Sequence, residues 1–217
     1  MKNGRRLSIL GDSISTYRGV SNDGEANRST CCNPFFYREP FPLNKTYWML
    51  VLEELALELC VNNSWSGGTL SGRDDPDSGV CRASRLSRDN GVSPDVIIVF
   101  MGINDLGRGV SPSVFASDYT FALLSIKEKH PSAQVCCVNL PDRDPLLRER
   151  TEIFNQAIEN AVRNAGSGFF VADLFGSRLN NDDYYMNTVD GLHPDEDGMR
   201  IIAEVIGNAI KENAHLF

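Results

Sequence analysis

The run Val96-Ile97-Ile98-Val99-Phe100 constrains the fold more than any other stretch of the chain. It is apolar throughout and mostly β-branched, without the alternation of a strand that has one wet face. Such a run suits a strand covered on both faces, the condition met in a parallel sheet flanked by helices.

The remaining pattern agrees, because short apolar runs alternate with longer amphipathic ones. Strands are expected at Leu7–Leu10, Leu59–Val61, Val96–Phe100, Gln134–Val138 and Phe169–Ala172. A helix over about Thr46–Leu59 carries Trp48, Val51, Leu52, Leu55 and Leu59 on one apolar face. A small helix is expected near Cys81–Arg88. Ser111-Pro112 supplies the cap and first turn of another, which runs to about Lys129. Further helices are expected over about Leu146–Asn164 and from Pro194 to about Asn213. The architecture is therefore read as α/β: a three-layer α/β/α sandwich, flavodoxin-like, with a five-stranded parallel sheet. With 217 residues and no linker or internal repeat, residues 1–217 are expected to form a single domain.

Twenty-one basic against 29 acidic residues give a net charge of −8, which argues against nucleic acid or anionic membranes as partners. No stretch has the length of a membrane-spanning helix, and Leu7–Leu10 is too short for a signal-peptide core. A cytoplasmic location is expected. Four of the six cysteines form the vicinal pairs Cys31-Cys32 and Cys136-Cys137, none forms a C-x-x-C, and reduced thiols are expected.

One region, Tyr17–Lys45, lacks a period and holds Pro34, Pro40 and Pro42. It follows the first strand, at the carboxyl edge where open α/β sheets bind ligands. Its aromatics Phe35, Phe36, Tyr37 and Phe41 either wall a substrate or pack the loop onto the body.

Four polar segments fall at strand ends. Ser13 follows the first strand in a turn expected to lead into a helix, and Ser66-Gly67-Gly68 follows the second. Gly102-Ile103-Asn104-Asp105 follows the third, and Asp190-Gly191-Leu192-His193 precedes the last helix. Neighbouring parallel strands end on one edge, so these segments can converge. Acyl transfer needs a hydroxyl activated by a base, a partner that fixes the base, and preorganised donors for the oxyanion. Ser13, His193, Asp190, the Ser13 and Gly67 amides and the Asn104 side chain would fill those places. Of the three histidines, His130 sits at a helix C-terminus, where a cationic side chain commonly caps carbonyls, and His215 lies in the tail. His193 alone has both a carboxylate three positions before it and a proline directly after it.

The blocks Gly11-Asp12-Ser13-Ile14-Ser15, Asn62-Asn63-Ser64-Trp65-Ser66-Gly67, Gly102-Ile103-Asn104-Asp105 and Asp190-Gly191-Leu192-His193 resemble those of the SGNH hydrolases, also called GDSL-type esterases and lipases. They occur in the family's order and span nearly the whole chain. The resemblance implies the three-layer fold and a serine ester hydrolase acting through an acyl-enzyme. In it Ser13 is the nucleophile, His193 the base and Asp190 the orienting acid, with Gly67, Asn104 and the Ser13 amide as the oxyanion hole. Two departures stand out. The first block ends in Ile14-Ser15, and the adjacent Gly67 and Gly68 leave the donor open by one position, with the spacing from Asn62 and Ser66 favouring Gly67. Asp12 is read as a loop-stabilising acceptor.

A competing reading has Ser13, Ser15 and Thr16 cradle a phosphate or flavin in a flavodoxin-like module, which leaves Asn104, Asp190 and His193 without a role. No cofactor or metal is expected. The histidines are scattered, the cysteines are badly spaced, and Arg73-Asp74 stands where a P-loop after Gly67 needs Lys-Ser/Thr. The absence of a long apolar lid or membrane-binding segment favours short acyl groups. Trp65 and the loop aromatics suit a sugar ring, an apolar leaving group or plain packing. Removal of acetyl groups from a carbohydrate or other small ester is the first expectation, and a lysophospholipase or thioesterase the alternative. The sequence does not separate hydrolysis from acyl transfer to another alcohol, and it leaves the oligomeric state open.

Overall fold

Val96–Phe100 forms a strand, β3, with every residue buried. In the computed structural model, which describes residues 4–21 and 37–214, β3 is the middle strand of five. The others are β1 (Arg6–Gly11), β2 (Glu58–Ser64), β4 (Gln134–Val138) and β5 (Phe169–Ala172). The order is β2-β1-β3-β4-β5 and every pairing is parallel. The edge strand β5 alternates half-buried with buried residues, whereas β3 needs apolar side chains on both faces.

Helices supply that cover. On one side α1 (Tyr47–Glu54) packs against α7 (Glu196–Asn213). Elsewhere α2 (Gly79–Arg82) packs on α4 (Pro112–Lys129), which packs on α5 (Arg148–Ala165). The result is the three-layer sandwich, and among the described residues no helix is long and apolar enough to cross a membrane. Arginines cover the outer edge of β2. Arg88 Nε donates to the Cys60 carbonyl at 3.1 Å, and its Nη2 donates to the Leu59 carbonyl. Those carbonyls would otherwise offer an open edge.

Several boundaries differ from the sequence reading. The helix expected to reach Leu59 stops at Glu54, because Ala56 takes φ +51° and the Leu57 amide turns back onto the Leu52 carbonyl at 2.9 Å. That frees Glu58 to start β2, which runs on to Ser64. The helix expected near Cys81–Arg88 is the short α2, capped by the Ser78 hydroxyl. The turn at Ser13 leads into a 3-10 turn, Ser13–Ser15, rather than a long helix. Two short helices carry no clear period in the sequence: α3 (Ile103–Gly107) and α6 (Asn181–Met186).

His130 closes α4 with its backbone, donating its amide to Ile126 at 2.8 Å. Its ring is buried without a partner for either nitrogen, and burial lowers its pKa. The ring is thus a neutral packing group and not a cationic cap. Cys60, Cys81, Cys136 and Cys137 are free thiols, while Cys31 and Cys32 lie outside the described residues.

Candidate active site

Gly11, the last residue of β1, stands opposite Ser64 of β2 and Phe100 of β3. The segments carrying Ser13, Gly67 and Asn104 therefore leave the sheet side by side along one edge. A side chain at position 11 could not be accommodated: a Cβ there would lie 2.5 Å from Ser15 Oγ and 2.7 Å from Ser64 Oγ. That close approach lets the chain fold over the strand end. Asp12 caps the turn that follows, its carboxylate accepting the Ile14 amide at 3.0 Å. Thr16 Oγ1 donates to the Ser13 carbonyl at 2.8 Å. Burial pushes the Asp12 carboxyl up to about 7, although the Ile14 amide and the Arg82 charge hold it down. Asp12 is the loop acceptor that the sequence suggests.

Ser13 is buried, and its Oγ lies 2.8 Å from His193 Nε2. His193 Nδ1 lies 2.8 Å from Asp190 Oδ2. The other oxygen of Asp190 accepts the backbone amides of His193 at 2.8 Å and Leu192 at 3.0 Å. One carboxylate thus both builds the tight loop and orients the ring it carries. Burial alone would raise the Asp190 carboxyl, but the His193 amide, the imidazole and the Leu192 amide hold it below its ordinary value. Burial lowers the His193 pKa and outweighs the opposing effect of Asp190, so the ring is neutral at neutral pH.

The loop bearing His193 is closed by a bridge between Thr188 and Pro194. Two buried tyrosines hold it from behind. Tyr37 donates its hydroxyl to the Pro194 carbonyl at 2.6 Å, and Tyr184 donates to the Leu192 carbonyl at 2.7 Å. The Tyr37 ring stands edge-on to the His193 ring, with centroids 6.4 Å apart. Tyr37 is only 2% exposed, so it backs the histidine instead of walling a substrate. Phe35 and Phe36 lie outside the described residues.

Trp65-Ser66-Gly67-Gly68 is a turn closed by the Gly68 amide on the Trp65 carbonyl at 3.0 Å. Gly67 has φ +70°, the left-handed value required at the third position of a type II turn. The Gly68 amide is spent inside the turn. Among the described residues the amides of Gly67 and Ser13 donate to no other group.

The short helix α3 fastens this turn. Asn104 Nδ2 donates to the Gly68 carbonyl at 3.0 Å, and Arg108 Nη2 donates to the Gly67 carbonyl at 2.7 Å. Asp105 accepts the Leu70 and Ser71 amides at 2.7 and 2.9 Å. Arg82, fully buried, donates to the Asn63 and Gly11 carbonyls, the latter at 3.0 Å. Sequence reasoning missed Tyr184, Arg82, Asp105 and Arg108. Only Asp105 carried a signal, as the residue after Asn104 in its block.

Trp65 is half-buried and lines a cavity of about 550 Å³ with Asn63, Asp77, Arg82, Arg85 and Arg88. The cavity flanks the edge strand β2, and the first residue of the Trp65 turn forms part of its wall.

The comparisons with known proteins fit this geometry. In fold the chain is similar to a Bacteroides ovatus protein assigned as a GDSL-like lipase, at TM-score 0.72 and 21% identity over 97% of this chain and 100% of that one. It is similar to the lipase/acylhydrolase from Enterococcus faecalis at TM-score 0.66 and 18% identity, covering 96% of both chains. A carbohydrate esterase family 2 enzyme from Corynascus thermopiles (Myceliophthora fergusii) gives TM-score 0.67 and 21% identity over 96% of this chain and 66% of that one. No curated protein sequence matches the chain. The pattern of the GDSL-like lipase/acylhydrolase family matches residues 9–201, nearly the whole sheet and all four polar blocks, and the chain belongs to that family of serine ester hydrolases.

Proposed function

We propose that the chain hydrolyses small esters through an acyl-enzyme on Ser13, with acetyl groups on a carbohydrate as the preferred substrate class. The observation that carries the reading is the unbroken relay from Ser13 Oγ through both His193 nitrogens to Asp190. Neutral His193 takes the Ser13 proton as Oγ attacks the ester carbonyl, and Asp190 stabilises the imidazolium that forms. The Ser13 and Gly67 amides and the Asn104 amide receive the oxyanion. Gly67 is preferred to Gly68 because the Gly68 amide is already engaged. His193 then protonates the leaving alcohol and activates water for deacylation.

The likeness in fold to a family 2 carbohydrate esterase supports a carbohydrate as the alcohol. A lysophospholipase or thioesterase reading draws on the exposed Tyr185, Met186 and Val189, which lead into Asp190. The free thiols favour a reducing, cytoplasmic compartment. The phosphate-cradle reading loses ground because the Ser13 hydroxyl is engaged by His193.

The test is Ser13→Ala, assayed on p-nitrophenyl acetate. Turnover should vanish while the melting curve keeps its midpoint, and undiminished turnover would remove Ser13 from the mechanism. A p-nitrophenyl series from acetate to palmitate then separates short-acyl from lipid-like preference. Parallel assays on acetylated sugars report the alcohol.

A further inference from the structure

Arg143 lies on the loop after β4, at the same carboxyl edge of the sheet as Ser13 and Asn104. The loop leaves the strand by a fixed route. Asn155 clamps the backbone of Leu140 at 2.7 and 2.9 Å, and the Arg143 amide donates to the Pro141 carbonyl at 3.0 Å. The side chain is half-buried, and its Nε is fully buried without a partner. Among the described residues its guanidinium forms no hydrogen bond and no ion pair.

The carboxylates nearest in sequence are committed elsewhere. Asp142 pairs with Arg148 at 2.8 Å, and Asp144 accepts the Leu146 amide at 2.9 Å. An arginine in this state is unusual, because buried guanidinium donors are normally paired. The loop starts beside the segment that carries Asn104, where Leu140 Cδ2 would lie 3.3 Å from a Cβ added at Gly102. Burial raises the pKa of the Tyr184 hydroxyl, which holds the carbonyl next to His193, and the Arg143 charge acts against it. The exposed guanidinium of Arg108 stands at the Gly67 carbonyl and uses one nitrogen there.

We propose that Arg143 recognises a carboxylate or comparable anionic oxygen group on the ester that reaches Ser13. The substrate class narrows to esters of acidic molecules, such as an acetylated sugar acid. This rests on the hydrolase reading above. A guanidinium with several free donors matches a carboxylate or phosphate in a forked pair, and an enclosed site strengthens that pair relative to water.

The test compares anionic and neutral esters of matched size on wild type, Arg143→Gln and Arg143→Lys. One pair carries the charge on the acyl side: the p-nitrophenyl half-ester of adipate and its methyl ester. Another carries it on the alcohol side: para-acetoxybenzoate and its methyl ester. A third substrate, para-acetoxyphenyl phosphate, reports whether phosphate serves as well as carboxylate. Wild type should favour an anionic member by about tenfold or more in kcat/KM. That ratio should fall towards one in Arg143→Gln, be partly kept in Arg143→Lys, and shrink in wild type as salt rises.

Equal kcat/KM within every pair for wild type overturns the proposal, as does a preference that survives Arg143→Gln. If no ester of either kind is cleaved, the hydrolase reading fails by itself. Calorimetric binding of para-acetoxybenzoate to Ser13→Ala then decides the anion site. Binding about tenfold weaker once Arg143→Gln is added supports it, and unchanged or undetectable binding overturns it. If Arg143→Gln does not fold, Arg143→Lys and the salt dependence of wild type decide in the same way.

Discussion

The tyrosine pair behind His193 allows a sharp test of how the base is held. Tyr37 and Tyr184 are 2% and 1% exposed, and each donates its hydroxyl to a carbonyl flanking His193. Phenylalanine at either position removes one oxygen and keeps the ring. The cost combines a lost buried hydrogen bond with an acceptor left without a donor, about 1–2 kcal/mol for each variant. The two losses should be similar, because among the described residues neither the Pro194 nor the Leu192 carbonyl has another donor. For a chain of this size the midpoint of melting should fall by about 2–8 °C per variant. Either single variant leaves one carbonyl clamped, so His193 keeps most of its alignment. The double variant frees both, and its loss in kcat should exceed the product of the single losses. Differential scanning calorimetry and a double-mutant cycle on kcat measure both effects. Coupling within about 0.3 kcal/mol of zero, with unchanged melting, would refute the clamp.

Three further perturbations test neighbouring parts of the site. Gly67→Ala puts a Cβ 3.2 Å from Arg108 Nη2 at φ +70°, so about 1–2 kcal/mol of stability and at least about tenfold in kcat/KM should be lost, read by melting and by ester turnover. Because burial depresses the His193 pKa, kcat/KM on a neutral ester should rise with pH through an apparent pKa below 6.5 and then level off, and a midpoint above 6.5 contradicts the assignment. Asp12 titrates near 7 when folded against 3.8 as its ordinary value, so folding binds a proton in that interval and stability falls as pH rises from about 4 to about 7. Asp12→Asn should remove on the order of 4 kcal/mol of that fall, seen as pH-resolved denaturation curves that fall less over the interval for the variant than for wild type.

Much of the fold was legible because it rests on periodicity. The central position of Val96–Phe100 follows from its lack of alternation, and the long helices α4, α5 and α7 follow from caps and apolar faces. The short elements were not legible. α3 and α6 are too brief to show a period, and α1 ends at a left-handed Ala56, a conformation that alanine does not advertise. The chemical groups Ser13, Asp190 and His193 could be read because a reaction limits which residue types can serve, and the fold brings them within hydrogen-bond distance. The groups that hold them could not. Tyr184 and Arg82 act on backbone carbonyls, and any residue supplies a carbonyl, so no pairing pattern marks the donor in the sequence. Tyr37 could be read only as a ring that walls a substrate or packs the loop, for the same reason: its hydroxyl, not its ring, fixes its place.

A physical necessity explains why so many polar side chains are buried at this edge. The ladder of backbone hydrogen bonds stops where Gly11, Ser64 and Phe100 come level, and the reacting groups project beyond it. Past that line the chain has no sheet to hold it, and oxyanion donors are effective only if they are fixed before the charge develops. Side-chain arms that cross from one strand end to the next take over. Arg82 joins β1 to β2 through Gly11 and Asn63, and Asn62 reaches the Ser15 carbonyl at 2.9 Å. Asn104, Asp105 and Arg108 join the end of β3 to the Gly67–Ser71 segment. Each arm is polar because its target is a backbone group, and most are buried because they lie between loops. Removing one should therefore lower turnover more than it lowers stability, since the sheet beneath survives while the donors it aims drift apart.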